Sequence, residues 1–322
     1  MVNKNQKSIF KIALIPAAVA LFAGCADRST VSESTSNGVA YDGYLVGATV
    51  CADLNRNKVC DAGEPSTTTG AGGKFTLNLT GAATTAPLVL QANDKTVDAG
   101  DDPTAITGDA VDTDLVYSAP AGSKAVSALS TLIQNLAEQE QANGANATTA
   151  LAAAVAKLKT QLGITGNSVD LLNDDIVAKK SASGASNEDK ILAARLHLVN
   201  QAVTAKIKTV AATAKSSFGS ESNSTILNAT LSTVVNAVQA IFNEVVTLTG
   251  DSSATLAAVQ AANAKNVVSN TVAKVTVQVT SAIITAQKAI DTAVNSGSTA
   301  GTTIPPVNVG TGGTGATGGS QQ

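Results

Sequence analysis

The chain has very few aromatic residues. They make up 2% of its 322 residues, and tryptophan is absent. Proteins that bind sugars or single-stranded nucleic acid stack their ligands on aromatic faces, so this scarcity argues against both classes. The formal net charge is −3, and the sequence has no cluster of basic residues. Nucleic acid is therefore not an expected partner.

Histidine occurs once, at His197, and familiar catalytic motifs are missing. The sequence has no Gly-x-Ser-x-Gly elbow, no His-Glu-x-x-His, no phosphate-binding glycine loop and no dinucleotide fingerprint. A lone histidine on a helix is more often a packed or surface residue than a general base. The adjacent carboxylates 101–102 and 174–175 are expected to point apart, as solvated groups or a minor cation site. We therefore expect a protein that is not an enzyme.

The N-terminus has the pattern of a bacterial export signal. An uncharged apolar segment at residues 12–23 is too short to span a bilayer comfortably, which favours a signal over a transmembrane anchor. Three positive residues precede it, namely Lys4, Lys7 and Lys11.

Residues 21–25, Leu-Phe-Ala-Gly-Cys, resemble a bacterial lipoprotein lipobox, although Phe22 replaces the usual smaller aliphatic residue. The resemblance implies a signal peptide over residues 1–24 and acylation of Cys25, which would anchor the protein in a membrane. Ala26 follows the cysteine, which by the same resemblance favours the outer membrane, facing either the periplasm or the outside. An ordinary secretory signal with an incidental cysteine is the alternative.

The two remaining cysteines, Cys51 and Cys60, lie close together in the chain. An exported protein meets an oxidising compartment, so an intramolecular disulfide between them is expected. A zinc site is the rival prediction, but two cysteines and the distant His197 do not supply four ligands.

Residues 53–64 have the ligand spacing of a twelve-residue calcium loop. Loop positions 1, 3, 5, 9 and 12 carry oxygen side chains, and position 7 would offer its backbone carbonyl. The departure is Lys58 at position 6, where a calcium loop usually has glycine. An Asx-rich turn without metal is the alternative. The predicted Ca²⁺ ligands are Asp53, Asn55, Asn57, Val59, Asp61 and Glu64.

Residues 42–79 resemble the calcium-stabilised, prealbumin-like β modules of bacterial surface proteins, such as SdrD B-type repeats and carboxypeptidase regulatory-like domains. The residues that carry the resemblance are Asp42-Gly43-Tyr44-Leu45-Val46-Gly47-Ala48-Thr49-Val50-Cys51, the calcium loop, Gly63-Glu64-Pro65 and Gly73-Lys74-Phe75-Thr76-Leu77. Gly70 departs from the family, which often carries an additional Asp there. Residues 118–133 resemble a segment of surface lipoproteins in which such a module precedes a helical region. The first resemblance implies a structural role, and the second implies an architecture and no activity.

Composition and patterning predict an α+β multidomain fold, with a small N-terminal β module and a C-terminal, mainly α-helical bundle. The resemblance implies that the β module is β-sandwich-like. A Ser/Thr-rich flexible tether is expected at residues 25–38, the β module at 39–120, an Ala-rich helical bundle at 121–295 and a disordered Gly/Thr-rich tail at 296–322. Period-two alternation at residues 74–79 predicts a strand, and further strands are expected at residues 88–90 and near 115–117.

Helices are predicted at residues 123–142, 146–162, 187–217, 222–249 and 253–295 from apolar residues at helical spacing. Ser186 and Asp189 form a capping signal before the third. Residues 275–279 alternate with period two, so a local strand is the alternative there. The apolar seams indicate an antiparallel bundle, with an intermolecular coiled coil as the alternative.

These features predict a non-enzymatic, lipid-anchored cell-surface protein with a structural calcium site, active in envelope architecture, adhesion, biofilm or extracellular matrix assembly. One alternative is a surface binding subunit that presents its helical region to a partner protein or a small ligand. A second alternative is an enzyme with an unrecognised site in the helices. Besides the membrane, a partner protein or self-association through the helices is expected.

Overall fold

Short strands make up the N-terminal part of the described chain. The computed structural model describes residues 32–166, 168–251 and 254–312. The predicted signal peptide, the lipidation residue Cys25 and residues 313–322 lie outside this part. The strands, β1 to β12, are Glu33–Ala40, Leu45–Val46, Thr49–Ala52, Ser66–Thr68, Lys74–Thr80, Leu88–Gln91, Val97–Asp98, Asp109–Ala110, Val116–Ala119, Ala125–Val126, Val275–Thr276 and Gly310–Thr311.

Two sheets carry most of the strand pairing. In one, β1 lies between antiparallel β5 and parallel β10. In the other, the order is β4-β3-β6-β9 and all pairs are antiparallel. Strand β5 buries Phe75, Leu77 and Leu79 on one face and exposes the alternating residues, as its period-two pattern predicts. The strands expected at residues 88–90 and near 115–117 are confirmed as β6 and β9.

Part of the segment predicted as a flexible tether is ordered. Strand β1 begins at Glu33 and pairs with β5 along its length, from Glu33 opposite Thr80 to Val39 opposite Lys74. A Cβ at Gly38 would lie 2.5 Å from the Phe75 ring, so glycine permits this close approach. The tether prediction is therefore wrong for residues 33–38, because backbone pairing orders a segment whose polar side chains bury little.

Helices follow from residue 128 onward. They are α1 to α8, at Ala128–Ala142, Ala147–Gln161, Ile176–Lys179, Asn187–Ser217, Asn223–Thr249, Leu256–Ala261, Ala264–Lys274 and Ser281–Ser296. The predicted cap of α4 is confirmed, since the Ser186 side chain accepts a hydrogen bond from the Asp189 N–H. The first predicted helix begins later than expected, because residues 125–126 form β10 and Ser127 caps α1.

The long helix predicted at residues 253–295 is wrong as a single element. It is divided into α6, α7, β11 and α8. Val275 ends α7, and β11 pairs with β12, so the strand alternative for residues 275–279 is correct for Val275–Thr276 alone. The sequence around Val275 is rich in β-branched residues, which favour strands over helices.

The segment predicted as a disordered tail is ordered as far as residue 312. The Ala300 N–H donates to the Ala142 carbonyl, and Ile304 and Val307 pack against buried apolar clusters. Strand β12 completes the contact with β11. The prediction is therefore wrong for residues 297–312, and residues 313–322 are outside the described chain.

The strands and helices share one hydrophobic core. Leu90 and Tyr117 from the strands belong to the same buried cluster as Leu132, Leu196 and Val238 from the helices. Helix α1 lies at the centre of this core, and every residue from 128 to 138 is buried. The described residues belong to a single compact unit that begins at Ser32. The α+β class is confirmed, and the division into separate domains is not.

Helix α5 is the one element among the described residues that is long and apolar enough to cross a membrane. Its mean hydropathy reaches 1.3, and 72% of that apolar stretch is buried within the protein. The seam residues Leu231, Val238 and Val245 are fully buried. Packing inside the chain therefore accounts for the apolar character of α5.

Candidate functional site

The predicted calcium loop, residues 53–64, connects β3 to β4. A disulfide joins Cys51, in β3 just before the loop, to Cys60 within the loop, and their Cα atoms are 5.6 Å apart. This disulfide confirms the prediction made from the cysteine spacing. Because both thiols are consumed, they are not available as zinc ligands.

Side chains of the loop hold its backbone in a tight curve. The Asp53 carboxylate accepts hydrogen bonds from the N–H groups of Asn57, at 3.1 Å, and Lys58, at 2.9 Å. Arg56 and Lys58 have positive φ angles of 57° and 61°. Lys58 thus takes the left-handed conformation that glycine usually supplies at this position, and the sequence departure does not prevent the turn.

The remaining loop ligands meet around Asp61. Its Oδ2 atom accepts hydrogen bonds from the side-chain amides of Asn55 and Asn57, both at 2.7 Å. Glu64 accepts from the N–H of Leu54 at 2.7 Å and from the N–H of Asp61 at 3.0 Å. The structure therefore brings the side chains of loop positions 3, 5 and 9 together, and the position 12 carboxylate contacts the backbone at position 9.

The donor chemistry of the loop fits a hard cation. It offers three carboxylates, two amides and a backbone carbonyl, and oxygen ligands of this kind suit Ca²⁺. Asp53 is 2% exposed, and burial raises the pKa of its carboxyl, although the N–H of Lys58 opposes this. Within the described residues, no three His, Cys, Asp or Glu side chains gather closely enough to hold a metal ion. Any site here must therefore use the amides as well as the carboxylates.

Val59 is the predicted ligand with the least support from its surroundings. Its side chain is 41% exposed, and its N–H donates to Asn57 Oδ1 at 2.8 Å. That hydrogen bond fixes the peptide next to the predicted backbone ligand. Leu54, the other apolar residue of the loop, is also exposed, so neither side chain anchors the loop to the core.

Charged loop residues instead attach the loop to helix α1. Lys58 Nζ lies 2.8 Å from Glu138 Oε2, and the two side chains are only 3% and 8% exposed. Gln134 donates to the other oxygen of Glu138 at 2.8 Å. Arg56 donates to Gln141 at 3.2 Å. Sequence reasoning missed this attachment because Lys58 and Glu138 are far apart in the chain, and only the unusual lysine at loop position 6 signalled it.

A second polar cluster lies where the strands contact α4. Asp42, which follows β1, accepts hydrogen bonds from Asn200 at 3.0 Å and Thr204 at 2.9 Å. Thr204 also shares a hydrogen bond of 2.6 Å with the Tyr117 hydroxyl. Burial raises the pKa of Asp42 to about 7, and the nearby charge of Asp98 adds to the shift.

His197 belongs to this second cluster and is 5% exposed. Its Nε2 atom lies 2.6 Å from the carbonyl of Asp42, and its Nδ1 atom lies 3.0 Å from Lys180 Nζ. These partners require a neutral ring that donates from Nε2 and accepts at Nδ1. Burial lowers the pKa of His197 to about 4, and the Lys180 charge contributes. The structure places His197 as a packed residue.

The paired carboxylates found in the sequence have separate structural partners. Asp174 pairs with Lys179 at 2.5 Å. Asp175 caps α3 and accepts a hydrogen bond of 2.9 Å from the Tyr44 hydroxyl. In the other pair, Asp101 forms an ion pair with Lys180, and Asp102 accepts from Thr104 within a turn. Neither pair is arranged as an acid and a base that face a common substrate.

No protein-family model, no curated protein and no solved structure matches this chain. The resemblance of residues 42–79 to calcium-stabilised β modules and that of residues 21–25 to a lipobox stay predictions.

Proposed function

We propose that this is a non-enzymatic, lipid-anchored protein of the bacterial cell surface, active in envelope architecture, adhesion or extracellular matrix assembly. The export signal and the lipobox residues 21–25 support the location. The resemblance of residues 42–79 to surface-protein spacers supports the structural role.

The observation that carries the proposal is that loop 53–64 is fastened on both sides. The Cys51–Cys60 disulfide ties it to β3, and the buried Lys58–Glu138 ion pair ties it to α1. A loop held in this way suits a structural calcium site that stabilises the fold. It suits less well a sensor that opens, or a catalytic centre that needs an accessible position.

Calcium would be held by the side-chain oxygens of the loop and by the carbonyl of Val59. When bound, the ion supplies positive charge that compensates the loop carboxylates and stiffens the connection between β3 and β4. The side-chain ligands would be Asp53, Asn55, Asn57, Asp61 and Glu64.

The anchoring part of the proposal is tested by Cys25→Ser with cell fractionation and metabolic labelling by a fatty acid. We expect the unchanged protein to carry the label and to sediment with outer membranes. The variant should lose both properties, whereas the matched control Ser29→Ala should keep them. Unlabelled wild-type protein, or identical fractionation of Cys25→Ser, would contradict lipid anchoring. Protease added to intact cells should digest the protein, and full protection would contradict surface exposure.

A further inference from the structure

One edge of strand β5 has no strand partner among the described residues. β5 is the last strand of its sheet and pairs with β1 along its other edge. The Gly81 N–H donates to the Ser32 carbonyl in continuation of the β1 ladder, whereas the Lys74 carbonyl accepts from the Gly70 N–H on the opposite edge. Because hydrogen-bonded and non-hydrogen-bonded pairs alternate in an antiparallel ladder, odd-numbered residues of β5 bond to β1 and even-numbered residues point outward.

The free edge therefore presents the backbone N–H and carbonyl groups of Thr76, Asn78 and Thr80. These backbone groups have no hydrogen-bond partner in the part of the chain that the structure describes, and all three side chains are exposed. Such an edge is a template for another strand, and proteins usually protect it with charge, proline or a bulge. Residues 75–80 contain neither charge nor proline, and the register with β1 runs without a bulge.

The free edge is limited at both ends. At its start, the Lys74 carbonyl is already bonded to the Gly70 N–H. At its end, Gly81 has a φ of 56° and begins a 3-10 turn that extends to Thr85. The edge thus has three outward-facing residues, with Asn78 in the middle.

We propose that this edge pairs with the β5 edge of a second copy of the chain, antiparallel, with the two-fold axis at Asn78. In this register Asn78 faces its own copy and Thr76 faces Thr80, so every outward N–H and carbonyl of the three residues gains a partner. On the inner face, Leu77 of one copy lies opposite Leu79 of the other. Pairing two identical strands places no like charges opposite each other, because residues 75–80 are uncharged.

The neighbouring registers satisfy fewer groups. A two-fold axis at Leu77 would require the Lys74 carbonyl, whose outward direction the Gly70 N–H already occupies. An axis at Leu79 would set Thr76 opposite residue 82, which lies in the turn after the strand. The axis at Asn78 is therefore the one that uses the whole free edge.

The exposed face of the sheet is already ordered for this contact. Thr35 of β1 donates to Asn78 Oδ1 at 3.3 Å, and Thr76 donates to Asn37 Oδ1 at 2.8 Å. These cross-strand bonds hold the side chains next to the free edge, which lowers the entropy cost of adding a strand. The association goes beyond the proposed structural role and uses neither the lipid anchor nor the calcium loop.

Disulfide cross-linking of the purified full-length protein, with diamide as the oxidant, tests the register. Asn78→Cys should form a covalent dimer, because the Cα atoms of an opposed hydrogen-bonded pair lie about 5.5 Å apart, within disulfide reach. Thr80→Cys alone should give at least about tenfold less dimer, because its two copies would lie four residues apart along the strands, about 13 Å. Mixing Thr76→Cys with Thr80→Cys should restore the dimer, since these residues face each other.

Thr35→Cys is the matched control, because it lies on the same exposed face one strand away from the free edge. It should not cross-link. Cys25 is kept in all variants and in the unchanged protein, so a link through that residue would appear equally in each. Circular dichroism shows that each variant is folded.

Sedimentation of variants without an added cysteine gives a second measurement. Asn78→Lys should weaken self-association at least about tenfold, because it sets two ammonium groups opposite each other, whereas Thr35→Lys should leave it unchanged. The dimer should persist in EDTA, so a failure of the calcium proposal would not affect this result. No dimer of folded Asn78→Cys, the outcome expected if the edge serves a different protein, would overturn the proposal. Equal dimer yields from Asn78→Cys and Thr80→Cys would do so as well.

Discussion

Asp42 and His197 have opposite protonation preferences at the contact between the strands and α4. The folded protein keeps His197 neutral, with a pKa of about 4 against an ordinary value of 6.5. The unfolded chain therefore binds this proton more readily, and stability from His197 is lost as pH falls from about 6.5 towards 4. Asp42, with a pKa of about 7 against 3.8, behaves in the reverse sense, and its contribution is lost as pH rises from about 3.8 towards 7.

The two contributions oppose each other between about pH 4 and 6.5, so the unchanged protein should have a nearly flat stability profile from this pair. Asp42→Asn should leave only the histidine contribution. The free energy of unfolding should then fall on acidification by up to about 1.4 kcal/mol per pH unit. His197→Gln should leave only the aspartate contribution, so the free energy of unfolding should fall as pH rises. Urea unfolding from pH 4 to 7 measures both slopes.

Asp94→Asn is the matched control for these slopes, since Asp94 is exposed. Its profile should follow that of the unchanged protein. If Asp42→Asn and His197→Gln both have the same slope as this control, the assigned protonation states are wrong.

At the scale of elements, the attachment of loop 53–64 to α1 depends on a buried ion pair. Lys58→Met would leave Glu138 buried without its cation, which typically costs about 3–5 kcal/mol. The double variant Lys58→Met with Glu138→Leu removes both charges and should recover much of this loss. Chemical denaturation of the single and double variants measures the coupling, with Lys95→Met at an exposed lysine as the control. Equal stability of Lys58→Met and Lys95→Met would contradict the attachment.

Helices with a local signal could be predicted from the sequence. Helix α4 matches its predicted range of 187–217, because its Ser186 cap and its apolar spacing are both local. The Cys51–Cys60 disulfide could be predicted for the same reason, whereas the calcium ligands of the loop stay a prediction. Pairings between distant segments could not be predicted. The sequence therefore indicated a flexible tether where β1 lies, a helix where β11 lies and a disordered tail where β12 lies. The Lys58–Glu138 pair also depends on distant segments.

For the whole molecule, the shared core predicts cooperative unfolding. The three tyrosines, Tyr41, Tyr44 and Tyr117, are buried in the strand region, whereas most of the helical signal arises beyond residue 127. Near-ultraviolet tyrosine dichroism and far-ultraviolet helix dichroism should therefore give coincident urea transitions. Two separated midpoints would show that the strand and helical parts unfold as independent domains.

The central claim is that loop 53–64 is a structural calcium site. Thermal unfolding of the full-length protein tests it most directly. The scan is made in EDTA and then in excess calcium, with magnesium as the ionic control. Calcium should raise the melting temperature by about 2–4 °C for each kcal/mol of binding linkage. The combined variant Asp61→Asn with Glu64→Gln should lose the shift, whereas Asp94→Asn should keep it. An unchanged melting temperature across the calcium titration would contradict the claim.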